Sequence, residues 1–354
     1  MKKNATKLIA LLIALAMVLS FAACSGSTNN ASENGADSAN PSGASESAES
    51  NASADEVSKD DAEYVVGICQ LVQHVALDAA TQGFIDAVNE ALPGKVYFDN
   101  QNASGESANC TTIVNGFVSG DYDLILANAT PALQAATAAT DSIPVLGTSV
   151  TDYASALEID NWTGTVGGNV SGTTDLAPLD QQAAMVKEWF PEAKTVGIIY
   201  CTAEANSVYQ AETIKGFLED EGFTVGFYSF TDSNDVASVT QKACDEADVI
   251  YIPTDNTAAS NTEAIANIVI AEKVPVVAGE EGICKGCGIC TLSISYYDLG
   301  YETGKMAAQI LTGEKDVATM PIQSAAKVTK EYNAANVEAL GLTVPADDYV
   351  AIGE

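Results

Sequence analysis

Two stretches decide the fold, Tyr64-Val-Val-Gly-Ile-Cys-Gln70 and Thr195-Val-Gly-Ile-Ile-Tyr200. Each is a short run of β-branched and apolar residues, which is typical of a buried strand in a parallel sheet. Each begins a series that ends in a similar peptide, Ile143-Pro-Val-Leu-Gly147 or Val274-Pro-Val-Val-Ala-Gly279, at an internal offset of about 130 residues. Two similar halves predict two lobes with a cleft between them. In open α/β sheets, ligands bind beyond the carboxyl ends of the strands.

Strand and helix patterns alternate through both halves. The predicted strands cover residues 64–70, 96–100, 124–128 and 144–148 in the first half, and 195–200, 224–229, 249–252 and 274–278 in the second. Asp78 is the expected N-cap of the first helix, which Pro93-Gly94 ends. Such alternation implies parallel sheets with right-handed crossovers. The predicted fold class is α/β, with two doubly wound parallel-sheet lobes, a hinge and an interlobe cleft.

The amino-terminal residues have the pattern of an export signal. Lys2, Lys3 and Lys7 precede an apolar run from Leu8 to Ala23, which at about 16 residues is short for a membrane span. Phe21-Ala-Ala-Cys24 resembles a bacterial lipobox. That resemblance implies a lipoprotein signal peptide over residues 1–23 and lipid attachment at Cys24. An ordinary signal peptide followed by a chance cysteine is the alternative.

The rest of the chain divides into a tether and two lobes. Residues 24–62 are mostly Ser, Ala, Asn, Gly and acidic residues, a composition that predicts a disordered tether. About 290 residues remain, enough for two cores. We expect an N-terminal lobe of residues 63–170 plus 295–318, and a C-terminal lobe of residues 171–294 plus 319–354. The segments after residue 290 suggest that the chain returns to the first lobe and then crosses back.

Composition excludes several classes of function. The net charge of −33 argues against a nucleic-acid partner. All 15 basic residues are lysines, so an anionic ligand group needs Lys, hydroxyls, amides or helix N-termini rather than an Arg clamp. His74 is the single histidine, and no Gly-x-Ser-x-Gly motif accompanies it. These absences argue against an enzyme, and no cofactor is predicted.

A cluster of cysteines has the spacing Cys284-x2-Cys287-x2-Cys290. This spacing resembles the start of a ferredoxin motif, but the fourth cysteine and its following proline do not come after it. Packing of small residues, a disulfide within the cluster, and a metal or iron–sulfur site all remain open.

Several peptides resemble one family closely. The set is Gln70-Leu-Val-Gln-His-Val-Ala-Leu-Asp78, Ala129-Thr-Pro131, Gly147-Thr-Ser-Val-Thr-Asp152, Ser171-Gly-Thr-Thr-Asp-Leu176, Glu204-Ala-Asn-Ser207, Pro253-Thr-Asp-Asn-Thr257 and Tyr297-Asp-Leu-Gly-Tyr-Glu-Thr-Gly304. They resemble the ABC-transporter substrate-binding proteins of the tryptophan- and tyrosine-uptake type, over about residues 64 to 341. The resemblance implies the type I periplasmic-binding-protein fold and a receptor that delivers a small solute to a permease with an ATPase partner.

Nearly all of these peptides follow predicted strand ends, where the fold places a ligand. The candidate ligand-binding residues are Gln73, His74, Thr130, Thr148 and Ser149 in the first lobe, and Asn206, Ser207, Asp255, Asn256 and Glu280 in the second. We expect first-lobe donors to hold a carboxylate, and Asp255 or Glu280 to pair with an ammonium group. Each of these residue types is also a common helix cap.

The predicted function is a monomeric, lipid-anchored receptor on the extracytoplasmic face of a bacterial membrane. Its solute is best interpreted as an aromatic amino acid. Its membrane contact is the lipid anchor alone. Two alternatives remain open: a receptor for another small solute such as a nucleoside, and a surface redox or metal protein that uses Cys284, Cys287 and Cys290.

Overall fold

The computed structural model describes residues 57–324 and 327–352. The predicted signal peptide, Cys24 and most of the predicted tether lie outside the described residues. Within these ranges, no helix combines the length and the apolar character that a membrane crossing requires.

Thirteen strands form among the described residues. They are β1 (Tyr64–Gln70), β2 (Val96–Asn102), β3 (Leu124–Asn128), β4 (Val145–Val150), β5 (Val170–Thr174), β6 (Thr195–Cys201), β7 (Thr224–Phe230), β8 (Val249–Ile252), β9 (Val276–Ala278), β10 (Cys290–Ser293), β11 (Gln323–Ser324), β12 (Thr329–Tyr332) and β13 (Val350–Ala351).

Helices connect most of these strands. They are α1 (Val75–Ala91), α2 (Ser107–Ser119), α3 (Thr130–Ala139), α4 (Tyr153–Ala156), α5 (Leu179–Trp189), α6 (Ala205–Asp220), α7 (Val236–Glu246), α8 (Asn256–Ala259), α9 (Thr262–Glu272), α10 (Glu281–Gly286), α11 (Tyr296–Leu311) and α12 (Ala334–Ala339), with a short 3₁₀ turn at Val317–Thr319.

The strands form two sheets of matching topology. The first has the order β11-β5-β4-β3-β1-β2, and the second β13-β12-β10-β9-β8-β6-β7. Strands β1 to β5 and β6 to β10 therefore take the same relative order. The repeat and the two-lobe α/β fold predicted from sequence are confirmed.

Each sheet is covered on both faces, because successive strand residues point to opposite sides. In β3, Ile125 packs into one apolar cluster, whereas Leu124 and Leu126 pack into another. In β8, Tyr251 packs into the apolar cluster on one face of the second sheet, and Ile250 packs into the cluster on the other face. This two-sided burial produces the doubly wound layers.

Two details differ from the prediction. Strand β12 runs antiparallel to β10, so the second sheet is not wholly parallel. Strands β5 and β11 lie in the first sheet, so the chain leaves the first lobe after Thr174 and Ser324, later than the predicted residues 170 and 318. The run Val170-Ser-Gly-Thr-Thr174 is too polar for the apolar pattern used to predict strands.

Three segments connect the lobes. The chain crosses between β5 and α5, between β10 and α11, and between β11 and β12. Helix α11 packs along α1 in the first lobe, which is the predicted return of the chain.

The first helix begins earlier than predicted. His74 occupies the N-cap position of α1 with extended backbone, and its side chain makes no capping bond. Asp78 lies one turn inside the helix, where its carboxylate accepts a hydrogen bond from Gln70 Nε2 at 2.7 Å. Asp78 therefore lies too far inside the helix to cap it, and its carboxylate has a partner in β1 instead.

Candidate functional site

A small cavity lies between the lobes at the carboxyl ends of the strands. The free space between its lining side chains is about 10 Å³. Its lining residues come from both lobes and from the segments that connect them: His74, Leu77, Ser149, Asp175, Asn206, Thr254, Asp255, Asn256, Ala259, Glu280 and Tyr296. Six of the ten predicted site residues are in this set. This is the place where open α/β sheets bind ligands.

The first-lobe side of the site presents hydroxyls without partners. Ser149 lines the cavity, is 6% exposed, and its Oγ atom has no hydrogen-bond partner. Its φ of 54° is unusual for a non-glycine residue. Thr130, at the start of α3, is buried with its Oγ1 atom also unpartnered. Buried hydroxyls normally find a partner, so two such atoms indicate that a ligand group can complete them.

Two second-lobe acids, Asp255 and Glu280, line the opposite wall as helix caps. Asp255 accepts hydrogen bonds from the backbone N–H of Cys201 at 2.6 Å and of Ala258 at 2.8 Å. Burial and the nearby Glu204 raise the pKa of Asp255 to about 7, against the effect of those two bonds.

Glu280 has a similar environment. Its carboxylate accepts from the backbone N–H of Gly282 at 2.6 Å and from that of Ile283. Burial raises its pKa to about 7. Both acids therefore cap a helix and also line the cavity. The sequence alone had left capping and ligand contact as alternatives.

A third acid, Asp175, lies in the segment between β5 and α5 and was not among the predicted site residues. It is 3% exposed. Its Oδ1 accepts from Thr151 Oγ1 and its Oδ2 from the hydroxyl of Tyr296, both at 2.9 Å. Burial raises the pKa of Asp175, whereas these hydrogen bonds lower it.

His74 and Asn256 contact each other directly across the cleft. His74 Nε2 lies 3.2 Å from Asn256 Oδ1, and the other ring nitrogen, Nδ1, has no partner. Burial lowers the pKa of His74, whereas the contact with Asn256 and the nearby Glu204 raise it.

Glu204 holds this corner of the second lobe and was also missed by the sequence prediction. It is buried and accepts from Asn256 Nδ2 at 2.6 Å and from the hydroxyl of Thr257 at 2.7 Å. It therefore orients Asn256 toward His74. The peptide Glu204-Ala-Asn-Ser207 carries part of the family resemblance, but only Asn206 and Ser207 of it were predicted site residues.

Thr130 and the three other remaining predicted residues lie outside the cavity lining. Gln73 is exposed in a recess at the mouth of the cleft. Thr148 is fully buried and accepts from Thr173 Oγ1 at 3.3 Å. Ser207 is fully buried beside Asn206, whose Nδ2 donates to it at 3.3 Å.

The charge balance of the cavity is one-sided. Three carboxyl groups, Asp175, Asp255 and Glu280, line it, and no lysine is among the lining residues. A buried acidic wall with raised pKa values favours a ligand group that carries positive charge. Among the described residues, no group of three or more His, Cys, Asp or Glu side chains is placed to hold a metal ion.

The cysteine cluster packs as core. Cys284 and Cys287 belong to the apolar cluster on one face of the second sheet, and Cys290 to the cluster on the other face. All three are free and buried. Burial raises the pKa of each thiol.

Comparison with known proteins identifies the family. The model of the family described as "ABC transporter substrate binding protein" matches residues 65–350. The chain is an ABC transporter substrate-binding protein. Members of this family are extracytoplasmic receptors of ABC importers that bind small solutes and work with an ABC permease, and are not enzymes. The receptor class predicted from sequence is confirmed.

Two similar proteins are described with an aromatic amino acid. This receptor is 35% identical over 260 residues to a "Tyrosine-binding protein" of Clostridioides difficile (strain R20291), covering 73% of this chain and 75% of that protein. It is 29% identical to an ABC domain from Streptococcus pneumonia solved in complex with L-Trp. That match has a TM-score of 0.77 and covers 82% of this chain and all of the other.

A third relative informs the conformation. A ligand-free, open substrate-binding protein from Clostridium difficile is 36% identical, covers 81% of this chain and 99% of its own, and gives a TM-score of 0.62. In the present structure, His74 of the first lobe and Asn256 of the second are in hydrogen-bond contact, so the two lobes meet across the cleft.

Proposed function

We propose that this receptor captures an aromatic α-amino acid in the interlobe cavity and delivers it to its permease. The observation that carries the proposal is the polarity of the cavity. Hydroxyls without partners lie on the first-lobe side, and an acidic wall without a lysine lies opposite. The carboxylate of a zwitterion suits the hydroxyls, and its ammonium group suits the acidic wall. The tyrosine-binding relative and the L-Trp complex support an aromatic side chain.

The carboxylate end is assigned to the first lobe. Ser149 Oγ and Thr130 Oγ1 are both buried and unpartnered. Helix α3 begins at Thr130 and has Pro131 in its first turn, so its amino-terminal N–H groups offer further donors and a favourable dipole. These donors replace the arginine that the chain lacks. The strained backbone of Ser149 is consistent with a position fixed for binding.

The ammonium end is assigned to the acidic wall. Sequence reasoning pointed to Asp255 or Glu280, and both line the cavity. A neutral solute such as a nucleoside would leave the buried carboxyls without a cationic partner, which is unfavourable in a water-poor site. This is the reason for preferring an amino acid over the nucleoside alternative.

Anchoring and assembly are part of the same proposal. We infer that Cys24 becomes the lipid-modified first residue of the mature chain, that residues 24–62 tether the lobes to the membrane, and that the receptor acts as a monomer. Replacement of Cys24 by Ala should abolish the lipid mass in whole-protein mass spectrometry and release the protein from the membrane fraction. Persistent lipidation of that variant would contradict the assignment.

A ligand screen tests the proposed function. The purified receptor is first treated with guanidinium to release any bound solute, which is identified by mass spectrometry, and is then refolded. Thermal-shift measurements follow with the twenty amino acids, the common nucleosides and simple sugars. We expect L-tyrosine or L-tryptophan to raise the melting temperature most, because a ligand stabilises the state that binds it. A shift with nucleosides alone would contradict the proposal.

A further inference from the structure

The segment that connects β5 to α5 carries the most distinctive carboxylate of the cavity. Asp175 is 3% exposed and faces the cavity between the lobes. Both of its hydrogen-bond donors are neutral hydroxyls, those of Thr151 and Tyr296. An ionised carboxylate offers about four acceptor positions. Two neutral bonds therefore leave Asp175 with free acceptor positions and an uncompensated charge.

The other two acids of the cavity have backbone hydrogen-bond donors within the protein. Each oxygen of Asp255 accepts from a backbone N–H, and the same is true of Glu280. Both residues occupy N-cap positions, those of α8 and α10. Helix N-termini carry partial positive charge, which stabilises a carboxylate placed there. These two acids therefore depend less on a ligand cation than Asp175 does.

Asp175 also belongs to a chain of hydrogen bonds that joins the lobes. Thr151 follows β4 of the first lobe and donates to Asp175. Gln210 of α6, in the second lobe, donates from Nε2 to Thr151 Oγ1 at 3.3 Å. The Oε1 atom of Gln210 accepts from the backbone N–H of Thr254, a residue of the cavity wall, at 3.2 Å. A change at Asp175 can therefore reach α6 through one hydroxyl.

We propose that Asp175 is the residue that receives the ligand's ammonium group, and that its bond to Thr151 couples this contact to closure of the lobes onto α6. This inference rests on the proposed function and replaces Asp255 and Glu280 as the ammonium partner. An ammonium group at Asp175 completes its free acceptor positions and fixes Thr151 in the orientation that Gln210 needs. Asp255 and Glu280 then shape the acidic wall through their helix caps.

The test compares ligands with and without the amino group. Calorimetric titrations of the wild-type receptor compare L-tyrosine with 3-(4-hydroxyphenyl)propanoate, and L-tryptophan with indole-3-propanoate. We expect the wild type to prefer the amino acid by about 30-fold or more, the ordinary scale for a buried charge pair. The Asp175→Asn variant should lose most of this preference, because its amide keeps the shape but removes the charge.

Asp180→Asn is the matched control. Asp180 is exposed in the first turn of α5, and its substitution makes the same change in net charge five residues away. Its titrations should match the wild type. Melting curves of Asp175→Asn check that it folds. If Asp175→Asn does not fold, the preference of the wild type within each pair of ligands still tests the assignment.

Each outcome has a distinct meaning. Equal wild-type affinity for an amino acid and its deaminated analogue would overturn the assignment of Asp175, as would an intact preference in Asp175→Asn. In both cases amino acid binding, and hence the proposed function, would stand. If the wild type binds neither L-tyrosine nor L-tryptophan, the proposed function and the assignment both fail.

The coupling to closure has its own variant. Thr151→Val removes the hydroxyl that links Asp175 to Gln210 and keeps the side-chain shape. We expect it to retain the preference for the amino group but to bind the amino acid more weakly, with a smaller ligand-induced decrease in the radius of gyration measured by small-angle X-ray scattering. If Thr151→Val shows the same decrease in the radius of gyration and the same affinity as the wild type, the coupling is contradicted.

Discussion

At the scale of single residues, the site contains polar groups whose burial is unfavourable without a ligand. Ser149 and Thr130 bury hydroxyls that have no partner, and Asp175 buries a carboxyl whose donors are two neutral hydroxyls. Buried polar groups without compensation destabilise a folded protein. The receptor therefore keeps at this site a local instability that binding of the right solute relieves.

Ser149 gives a direct prediction. Replacement by Ala removes the unpartnered hydroxyl proposed for the ligand carboxylate, and affinity for the amino acid should fall about tenfold, the effect of a lost hydrogen bond to a charged group. Calorimetry measures the change. Thr137→Val is the control, since Thr137 lies in α3 and its hydroxyl donates only to helix carbonyls. Unchanged affinity in Ser149→Ala would place the carboxylate elsewhere.

The raised pKa values of Asp255 and Glu280 predict a pH dependence of stability. Both have a pKa of about 7 in the folded protein, against ordinary values of 3.8 and 4.5. An acid with a raised folded pKa stabilises the fold below its unfolded pKa, and this contribution is lost as the pH rises through about 7. The ligand-free receptor should therefore melt at a higher temperature at pH 5 than at pH 8.

His74 opposes this trend, because burial lowers its pKa and stability is lost as the pH falls below the ordinary histidine range. Glu280→Gln isolates the carboxyl contribution. The difference in melting temperature between pH 5 and pH 8 should shrink in this variant and stay unchanged in Asp180→Asn. An unchanged difference in Glu280→Gln would contradict the raised pKa.

At the scale of elements, contact between α1 and α11 depends on glycine. A Cβ atom on Gly300 would lie 1.9 Å from the backbone oxygen of Ala80, and one on Gly83 would lie 2.1 Å from that of Tyr297. Such distances cannot be accommodated without moving a helix. The close approach fixes the position of α11 and, with it, Tyr296 at the cavity.

Gly300→Ala should accordingly destabilise the receptor, by about 1–3 kcal/mol or more, the cost of overpacking a tight contact. Gly216→Ala is the matched control in α6, where nothing lies within 4 Å of the added methyl group. That substitution should stabilise by up to about 1 kcal/mol through helix propensity. Urea unfolding measures both. Equal stabilities of the two variants would contradict the role of the close approach.

The sequence predicted elements where the pattern was apolar and failed where it was polar. β1 and β6 are apolar runs, and this pattern predicted both strands. β5 and β12, Val170-Ser-Gly-Thr-Thr174 and Thr329-Lys-Glu-Tyr332, contain too few apolar residues for a strand signal. They form because neighbouring strands supply the pairing, which is a tertiary effect.

The site was predictable only where a strand end marked it. Ser149 lies near the end of the apolar strand β4, and Asp255 and Glu280 follow apolar strands, so their placement could be inferred. Asp175 follows the unrecognised β5, and its partners Thr151 and Tyr296 lie 24 and 121 residues away in sequence. No local pattern carries that information.

At the scale of the whole molecule, the two lobes are a pair of similar sheets joined by three segments that place the cavity at their junction. Hinge closure around a solute is a general mode of such receptors. The contact between His74 and Asn256 and the bond from Gln210 to Thr151 both cross the cleft. They are made only when the lobes approach.

Closure predicts a change in shape. Without ligand, the lobes should separate, since the hydroxyls of Ser149 and Thr130 and the carboxyl of Asp175 then lack the partners that the ligand supplies. Saturating L-tryptophan or L-tyrosine should reduce the radius of gyration in small-angle X-ray scattering, whereas glycine at the same concentration should not. Identical scattering with and without the aromatic amino acid would argue against a hinge mechanism.

Binding of an aromatic α-amino acid in the interlobe cavity can be measured on the purified receptor. The most direct measurement is calorimetric titration of the refolded, ligand-free receptor with L-tyrosine and L-tryptophan. We expect a dissociation constant in the micromolar range or tighter for at least one of them, with one site per chain. No measurable binding of either amino acid, together with saturable binding of a nucleoside or sugar, would contradict it.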